Sequence, residues 1–296
     1  MNKLLFLLSF LSTWHVSAQM LDYSNGELFS EDPKFNAKFI KQNRIKSIKG
    51  YYSTKADYDR IRPTNNVYVY EFNNQGLLVK DYKIIRRDTI VRGYKYDLKH
   101  NIIELLQSDQ YGMHAYHFYY DSLNRIIKKE YRRNENKTGN RIDFKIGKSY
   151  IISAQTYSYE NAEVGLKKYY YNSLGKVYQT EFFYFDKNNY LYKQESRSLT
   201  GVGSAKTSYT YNSKGLLKEK VKETRLNKKN TSRLSIEYDN FDNIMAQHYY
   251  RNGAYKTEHQ FVYNSSTLLL SALLSRDIET NVITILKFSN YTFFDY

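Results

Sequence analysis

The sequence predicts an all-β chain: a long antiparallel meander of repeated β-hairpins forming a twisted, curled sheet, with a short N-terminal helix. Three observations predict it. A turn motif recurs along most of the 296 residues, pairs of aromatics spaced two apart precede each turn, and Tyr alone supplies 33 residues. Aromatic content of 17% with 25% charged residues describes a folded chain rather than a disordered one.

The head has its own character. Lys3, then Leu4–Leu11, then Val16-Ser17-Ala18 have the charged, apolar and small-residue order of a secretory signal peptide. Cleavage is expected between Ala18 and Gln19. The apolar run is too short to span about 30 Å of hydrocarbon. There is no Cys, which excludes disulfides, thiolate metal sites and a Cys nucleophile. Export without disulfides points to a bacterial envelope or secreted protein: periplasm, cell surface or medium. Ser30 is placed to cap a short helix, with Pro33 in its first turn and Phe35 and Phe39 on one face. Arg44–Tyr52 is expected as the first strand and 53–66, containing Pro63, as a loop. The expected organisation is 1–18 signal peptide, 19–66 N-terminal cap, and 67–296 repeat domain.

The repeat is aromatic, any, aromatic, Asp or Asn, two residues, a turn-tolerant residue, any, aliphatic. Tyr70-Glu71-Phe72-Asn73 to Gly76-Leu77-Leu78 is one copy; Tyr209-Thr210-Tyr211-Asn212 to Gly215-Leu216-Leu217 is close to the ideal. The second aromatic falls at 72, 96, 120, 171, 185, 211, 238 and 263. Most steps are 24–27 residues, the length of about two strands and two turns. The step from 120 to 171 implies a worn copy, expected near Phe144. The short step from 171 to 185 puts one turn motif at the opposite end of the next strand.

Each part of the motif has a physical role. Aromatics two apart share a strand face. Asp or Asn bonds to the backbone ahead and starts the turn. Gly or Asn accepts the left-handed conformation that closes it. Asn252-Gly253 marks a two-residue hairpin, placing Tyr250 opposite Tyr255 and His248 opposite Thr257. In that register His248 and His259 share a face.

The strand faces argue against a lipid-facing barrel. In Leu216–Thr224 one face carries Glu219 and Glu223, the other Lys218, Lys220 and Lys222. In Ile126–Arg133, Lys128, Glu130 and Arg132 lie on one face and Lys129 and Arg133 on the other. Neither face of either strand suits hydrocarbon.

The Tyr-x-Tyr-Asp/Asn-x-x-Gly-x-Leu tracts, best at Tyr209–Leu217 and Tyr169–Val177, resemble the Rhs or YD-repeat family over about residues 67–270. That resemblance implies a spiralling antiparallel sheet in an exported bacterial protein, and carbohydrate binding or surface contact. The chain is short, poor in Gly, and lacks the family's Arg-rich core motif and toxin domain, so only the sheet architecture is carried over.

No catalytic constellation stands out, and no cofactor or metal site is expected. His114 and His117, three apart on a strand, face opposite ways. His248 and His259 have no third ligand near them. The turn acids Asp97, Asp121, Asp186 and Asp239 alternate with Asn in other copies, which suits turn formation rather than calcium. The tyrosines Tyr70, Tyr96, Tyr120, Tyr171, Tyr211, Tyr238 and Tyr263 are the repeat-core or ligand-facing candidates. A formal charge of +15 fits a solvated mixed-charge sheet or an anionic partner. The leading reading is an exported, non-enzymatic scaffold or binding protein of the bacterial envelope, its partner an anionic polysaccharide or an envelope protein and not nucleic acid. The alternatives are an accessory component of a polymorphic-toxin or secretion system, and an envelope enzyme with an unrecognised site.

Overall fold

The structure, a computed structural model, describes residues 19–21, 35–86, 88–163, 165–201, 203–225 and 228–295. The expected signal segment, Ser30 and Pro33 lie outside the described residues. Helix α1 is Ala37–Gln42; Asn36 caps it, accepting from the N–H groups of Lys38 and Phe39 at 3.1 and 3.3 Å. Phe39 and Ile40 are its buried face.

Eighteen strands follow among the described residues: β1 (Ile45–Lys55), β2 (Arg62–Phe72), β3 (Leu78–Ile85), β4 (Asp88–Tyr96), β5 (Ile102–Asp109), β6 (Gly112–Tyr120), β7 (Ile126–Asn136), β8 (Ile146–Ala162), β9 (Gly165–Tyr171), β10 (Val177–Phe185), β11 (Leu191–Ser198), β12 (Ser204–Tyr211), β13 (Leu217–Arg225), β14 (Lys229–Tyr238), β15 (Ile244–Arg251), β16 (Ala254–Tyr263), β17 (Leu270–Asp277) and β18 (Ile283–Phe293). Pro63 stands near the start of β2, opposite Ser53, not in a loop; the first residues of a strand tolerate a missing N–H.

Each strand pairs antiparallel with its sequence neighbours. β1 also pairs with β18, from Ile45 opposite Phe293 to Lys55 opposite Ile283. The sheet is therefore a closed barrel, and the expected open, curled sheet is corrected. Closure removes the two long edges that an open meander of this length would leave unpaired.

The turn motif works by one mechanism at seven turns. The Oδ1 of Asn73, Asp97, Asp121, Asn172, Asp186, Asn212 or Asp239 accepts the backbone N–H groups two and four residues on, at 2.8–3.0 Å. Asp and Asn interchange because only an acceptor oxygen is needed. The fourth residue (Gly76, His100, Asn124, Gly175, Asn189, Gly215 or Asp242) has φ between 60 and 81°. At all seven of these turns a register shift then separates the last two pairs, as between Glu71 opposite Lys80 and Phe72 opposite Leu78. Where the second aromatic faces inward, that bulge lets the returning aliphatic residue face inward beside it; at the Asn172 turn Tyr171 faces outward.

Six of the seven turns lie at one end of the barrel. The motif at 172–175, between β9 and β10, lies at the other, as the short step predicts. The worn copy is not at Phe144. It is Tyr157-Ser158-Tyr159 at the end of β8, and a ladder of hydroxyls identifies it. Tyr96, Tyr120, Tyr159, Tyr211, Tyr238 and Tyr291 donate to the carbonyls of Leu78, Ile102, Ile126, Leu191, Leu217 and Leu270, at 2.5–2.9 Å. Each tyrosine thus ties its repeat to the residue that opens the return strand of the one before. Tyr211→Phe is expected to lower stability by about 1 kcal/mol, leaving the Leu191 carbonyl short of a donor. An unchanged urea midpoint would refute the ladder as a stabilising device.

Phe144 instead lies between β7 and β8 and folds against the outer wall. It packs, with Ile146, on Leu106, Met113 and Ala115. Its ring is 3.2 Å from where a Cβ on Gly93 would stand.

The core is a plug at the end where most turns lie. Met20, Leu21, Phe39 and Ile40 are buried against Ile45, Ile48, Tyr68, Tyr70, Phe72, Leu217, Leu234, Ile244, Leu270 and Phe288. The Phe35 ring meets Tyr70 and Phe72 edge-on at 4.9 and 5.1 Å. The plug identifies the inner face, and the registers carry that face around the ring.

The outer face carries charge at mid-strand. Lys95 pairs with Glu104 at 2.9 Å, Arg233 with Glu219 at 3.6 Å, and Lys193 with Glu195 at 3.3 Å. Glu130 lies between Lys128 and Arg132, whose hydrogen bonds hold its carboxyl down at about 2. Such residues cost about 2–4 kcal/mol each when a basic one faces the bilayer midplane, so this wall is built for water. No helix among the described residues is long and apolar enough to cross a membrane.

Candidate ligand-binding site

The inner wall between β6 and β11 is lined by tyrosine and lysine. Tyr116 faces Tyr131 across β6 and β7, and Tyr131 faces Ser153 on β8. Lys129 faces Gln155, Tyr157 faces Tyr170, and Lys168 lies between Tyr159 and Glu181. These pairs alternate with the charged outward pairs because successive side chains on a strand change faces.

A cavity of about 330 Å³ opens here, lined by Tyr116, Lys129, Tyr131, Ser153, Gln155 and Tyr178 with neighbouring backbone. That is the lower end of the range for a small-ligand pocket. The Lys129 ammonium sits 4.1 Å from the Tyr116 ring centroid and 5.7 Å from that of Phe118. Lys168 sits 4.1 and 4.7 Å from the Tyr157 and Tyr170 rings. Burial pushes both ammonium groups below the ordinary lysine range, and Lys129 adds repulsion at Lys168 that Glu181 opposes.

A polar chain fixes the rings. Tyr170 donates to Glu181 at 2.6 Å, and Gln194 donates to the other Glu181 oxygen at 2.7 Å. Tyr209 donates to Gln194 at 2.9 Å. Tyr157 donates to Gln155 at 2.6 Å, and the Gln155 amide contacts the Tyr178 hydroxyl. Burial raises the Tyr157 phenol to about 12; burial and the Glu181 carboxylate raise Tyr170 further. The Tyr157 and Tyr170 phenols stay neutral donors at physiological pH. Glu181 is matched by Lys168, but no carboxylate forms an ion pair with Lys129 among the described residues. The arrangement offers flat aromatic faces, amide and hydroxyl donors and a desolvated ammonium, which together suit a polar, anionic ligand.

The tyrosines chosen from the motif are elsewhere. Tyr70 is fully buried under the plug. Tyr96, Tyr120, Tyr211 and Tyr238 serve the hydroxyl ladder, and Tyr263 packs against the plug core. Only Tyr171 borders the cavity, and its hydroxyl bonds Ser158 on the outer face at 2.7 Å. The cavity residues Tyr116, Lys129, Tyr131, Gln155 and Tyr178 lie outside the motif. Their signal was the alternation of aromatic and basic residues in Tyr116–Tyr120 and Ile126–Arg133.

The histidines divide between the faces. His114 faces in beside Asp109, and His117 faces out beside Glu104. His248 and His259 do not share a face. A bulge between Tyr249 and Tyr250 places His248 opposite Glu258 and His259 opposite Gln247, and one extra residue reverses the faces. His259 is half-buried, and desolvation lowers its imidazole to about 4. No three His, Asp or Glu side chains gather as metal ligands among the described residues.

No protein-family model matches the sequence, and no curated protein matches it. Solved structures similar to this chain include a porin-like protein from Bacteroides vulgatus, 9% identical over 81% of this chain and 96% of that one, with a TM-score of 0.34. A porin-like protein from Bacteroides uniformis is 11% identical over 84% and 98%, with a TM-score of 0.37. The TcdB2–TccC3 structure is 10% identical over 83% of this chain and 17% of that one, with a TM-score of 0.26. Values this low leave the chain's own residues to carry its function.

Proposed function

We propose that the chain is an exported, non-enzymatic binding protein of the bacterial envelope whose inner wall takes an acidic glycan. Lys129 carries this reading: its ammonium stands 4.1 Å from the Tyr116 ring, in the cavity walled by Tyr131, Gln155 and Tyr178, with no carboxylate paired to it among the described residues. A sugar ring stacks on tyrosine while its carboxylate meets the ammonium. Export follows from the signal-like Met1–Ala18, and the YD-like repeats supply the wall that positions the rings.

The test is titration of Gln19–Tyr296 with polygalacturonate oligomers and their methyl esters, followed by tyrosine fluorescence. The acidic oligomers are expected to bind and the esters not. Lys129→Gln is expected to weaken binding about tenfold, or about 1.4 kcal/mol. Binding that survives salt indicates a shaped site; binding lost with salt indicates only a positive surface. The pH dependence has a defined sign. Lys129 and Lys168 lose their protons below the ordinary lysine value of 10.5, so affinity falls as pH rises toward that value. Equal binding of the ester, or no effect of Lys129→Gln, would overturn the reading.

A further inference from the structure

The inner wall carries a second cation beyond the cavity. On β7 the inward residues are Lys129, Tyr131 and Arg133, since successive side chains change faces. On β8 Gln155, Ser153 and Tyr150 stand opposite them. The register shift between Tyr131 and Arg132 makes Ile152 an extra residue, so Ser153 and Tyr150 both face inward although they are three apart. The cavity reaches Lys129, Tyr131, Gln155 and Ser153 and stops short of Arg133 and Tyr150.

The binding surface continues past it. The Tyr131 ring lies 5.4 Å from that of Tyr116 and 5.6 Å from that of His114, so aromatic faces lead from Lys129 toward Arg133. Arg133 donates to Asp109 through Nη1 at 2.7 Å and makes no other hydrogen bond among the described residues. Asp109 thus holds the guanidinium against the wall and leaves its remaining N–H groups for a ligand. Tyr150 stands opposite Arg133 and is 56% exposed. The exposure follows from the strand pairing. β8 pairs with β7 from Ile146 to Thr156, but with β9 only from Thr156 onward. From Ile146 to Gln155 no described residue pairs with the side of β8 that faces away from β7, so a ligand has room to run past Tyr150.

Lys129 and Arg133 are four residues apart on one strand, about 13 Å between Cα atoms. That is farther than a single sugar ring reaches, but two carboxylates on different units of one chain span it. On the acidic-glycan reading of the cavity, on which this rests, we propose that the face is built for a chain of linked acidic sugars and not for a single one. Lys129 and Arg133 take carboxylates of different units, and the Tyr150 ring carries the outer unit where the chain leaves across the free side of β8. Chain-length preference is therefore set by Arg133 and Tyr150, outside the cavity.

The test titrates Gln19–Tyr296 with galacturonate and with its linear tetramer, followed by calorimetry. The tetramer is expected to bind at least about tenfold tighter than the monomer, beyond the roughly fourfold that four equivalent units give by counting. Tyr150→Ala, and separately Arg133→Gln, are expected to cut that ratio to about fourfold or less, with unchanged far-UV circular dichroism. Lys129→Gln is expected to weaken both ligands. A tetramer no tighter than counting allows, or an undiminished ratio in Tyr150→Ala, would overturn the proposal; if Lys129→Gln still weakens both ligands, the acidic-glycan reading stands without it. Failure of both ligands to bind would overturn the two together.

Discussion

Arg92→Met is expected to destabilise the barrel by about 3–5 kcal/mol, because it leaves a buried carboxylate without its cation. Asp81 and Arg92 face each other across β3 and β4 on the inner wall, and both are buried. The guanidinium donates to Asp81 Oδ1 through Nε at 3.2 Å and Nη2 at 3.0 Å. Tyr68 donates to the same oxygen at 3.1 Å, and Tyr94 donates to Oδ2 at 2.8 Å. Removing the arginine leaves the tyrosine donors in place but strips the counter-charge. Replacing both partners, as Asp81→Leu with Arg92→Met, is expected to recover much of the loss, since apolar pairs of similar volume often match a buried ion pair. Urea unfolding followed by circular dichroism measures both variants. A double variant as unstable as the single one would mean that the hydrogen bonds, and not the orphaned charge, set the cost.

Gly76→Ala should unfold far more readily than Gly175→Ala, although both glycines close the same turn. Gly76 has φ 81° and Gly175 φ 72°, so each variant carries about 1–2 kcal/mol of left-handed strain. At Gly175 an added Cβ meets nothing within 4 Å. At Gly76 it would stand 2.0 Å from the Ala37 carbonyl oxygen and 2.8 Å from the Lys41 nitrogen. The methyl must push α1 off the turn, and α1 carries Phe39 and Ile40 into the core. The expected cost is about 3 kcal/mol or more, in the range of overpacked or strained core sites. Equal urea midpoints for the two variants would show that α1 is not seated on this turn.

Much of the wall was legible from local chemistry. The Asp/Asn acceptor, the left-handed fourth residue and the aromatic spacing each act within about six residues, so the turns and strands could be placed from the sequence. The charged faces of Leu216–Thr224 and Ile126–Arg133 were legible for the same reason: Glu219 and Glu223 point out, Lys220 and Lys222 point in. The site was less legible. The motif tyrosines are defined by their nearness to turns, which places their hydroxyls in the ladder and beneath the plug. Tyr116, Tyr131 and Lys129 come together only because β6 and β7 align in register. The His248–His259 pair failed for a related cause, since one bulge at Lys256 reverses every face beyond it.

By itself, then, the sequence determined the all-β class, the repeat, the turn mechanism and a charged surface on both strand faces. These follow from side-chain period and backbone preference, which are local. The tertiary structure decided that β1 meets β18, that the head plugs one end, that the inner wall gathers tyrosine around Lys129 and Lys168, and that part of β8 pairs on one side alone among the described residues. Those outcomes depend on the summed twist and register of eighteen strands, a quantity to which every repeat contributes and which no single repeat encodes.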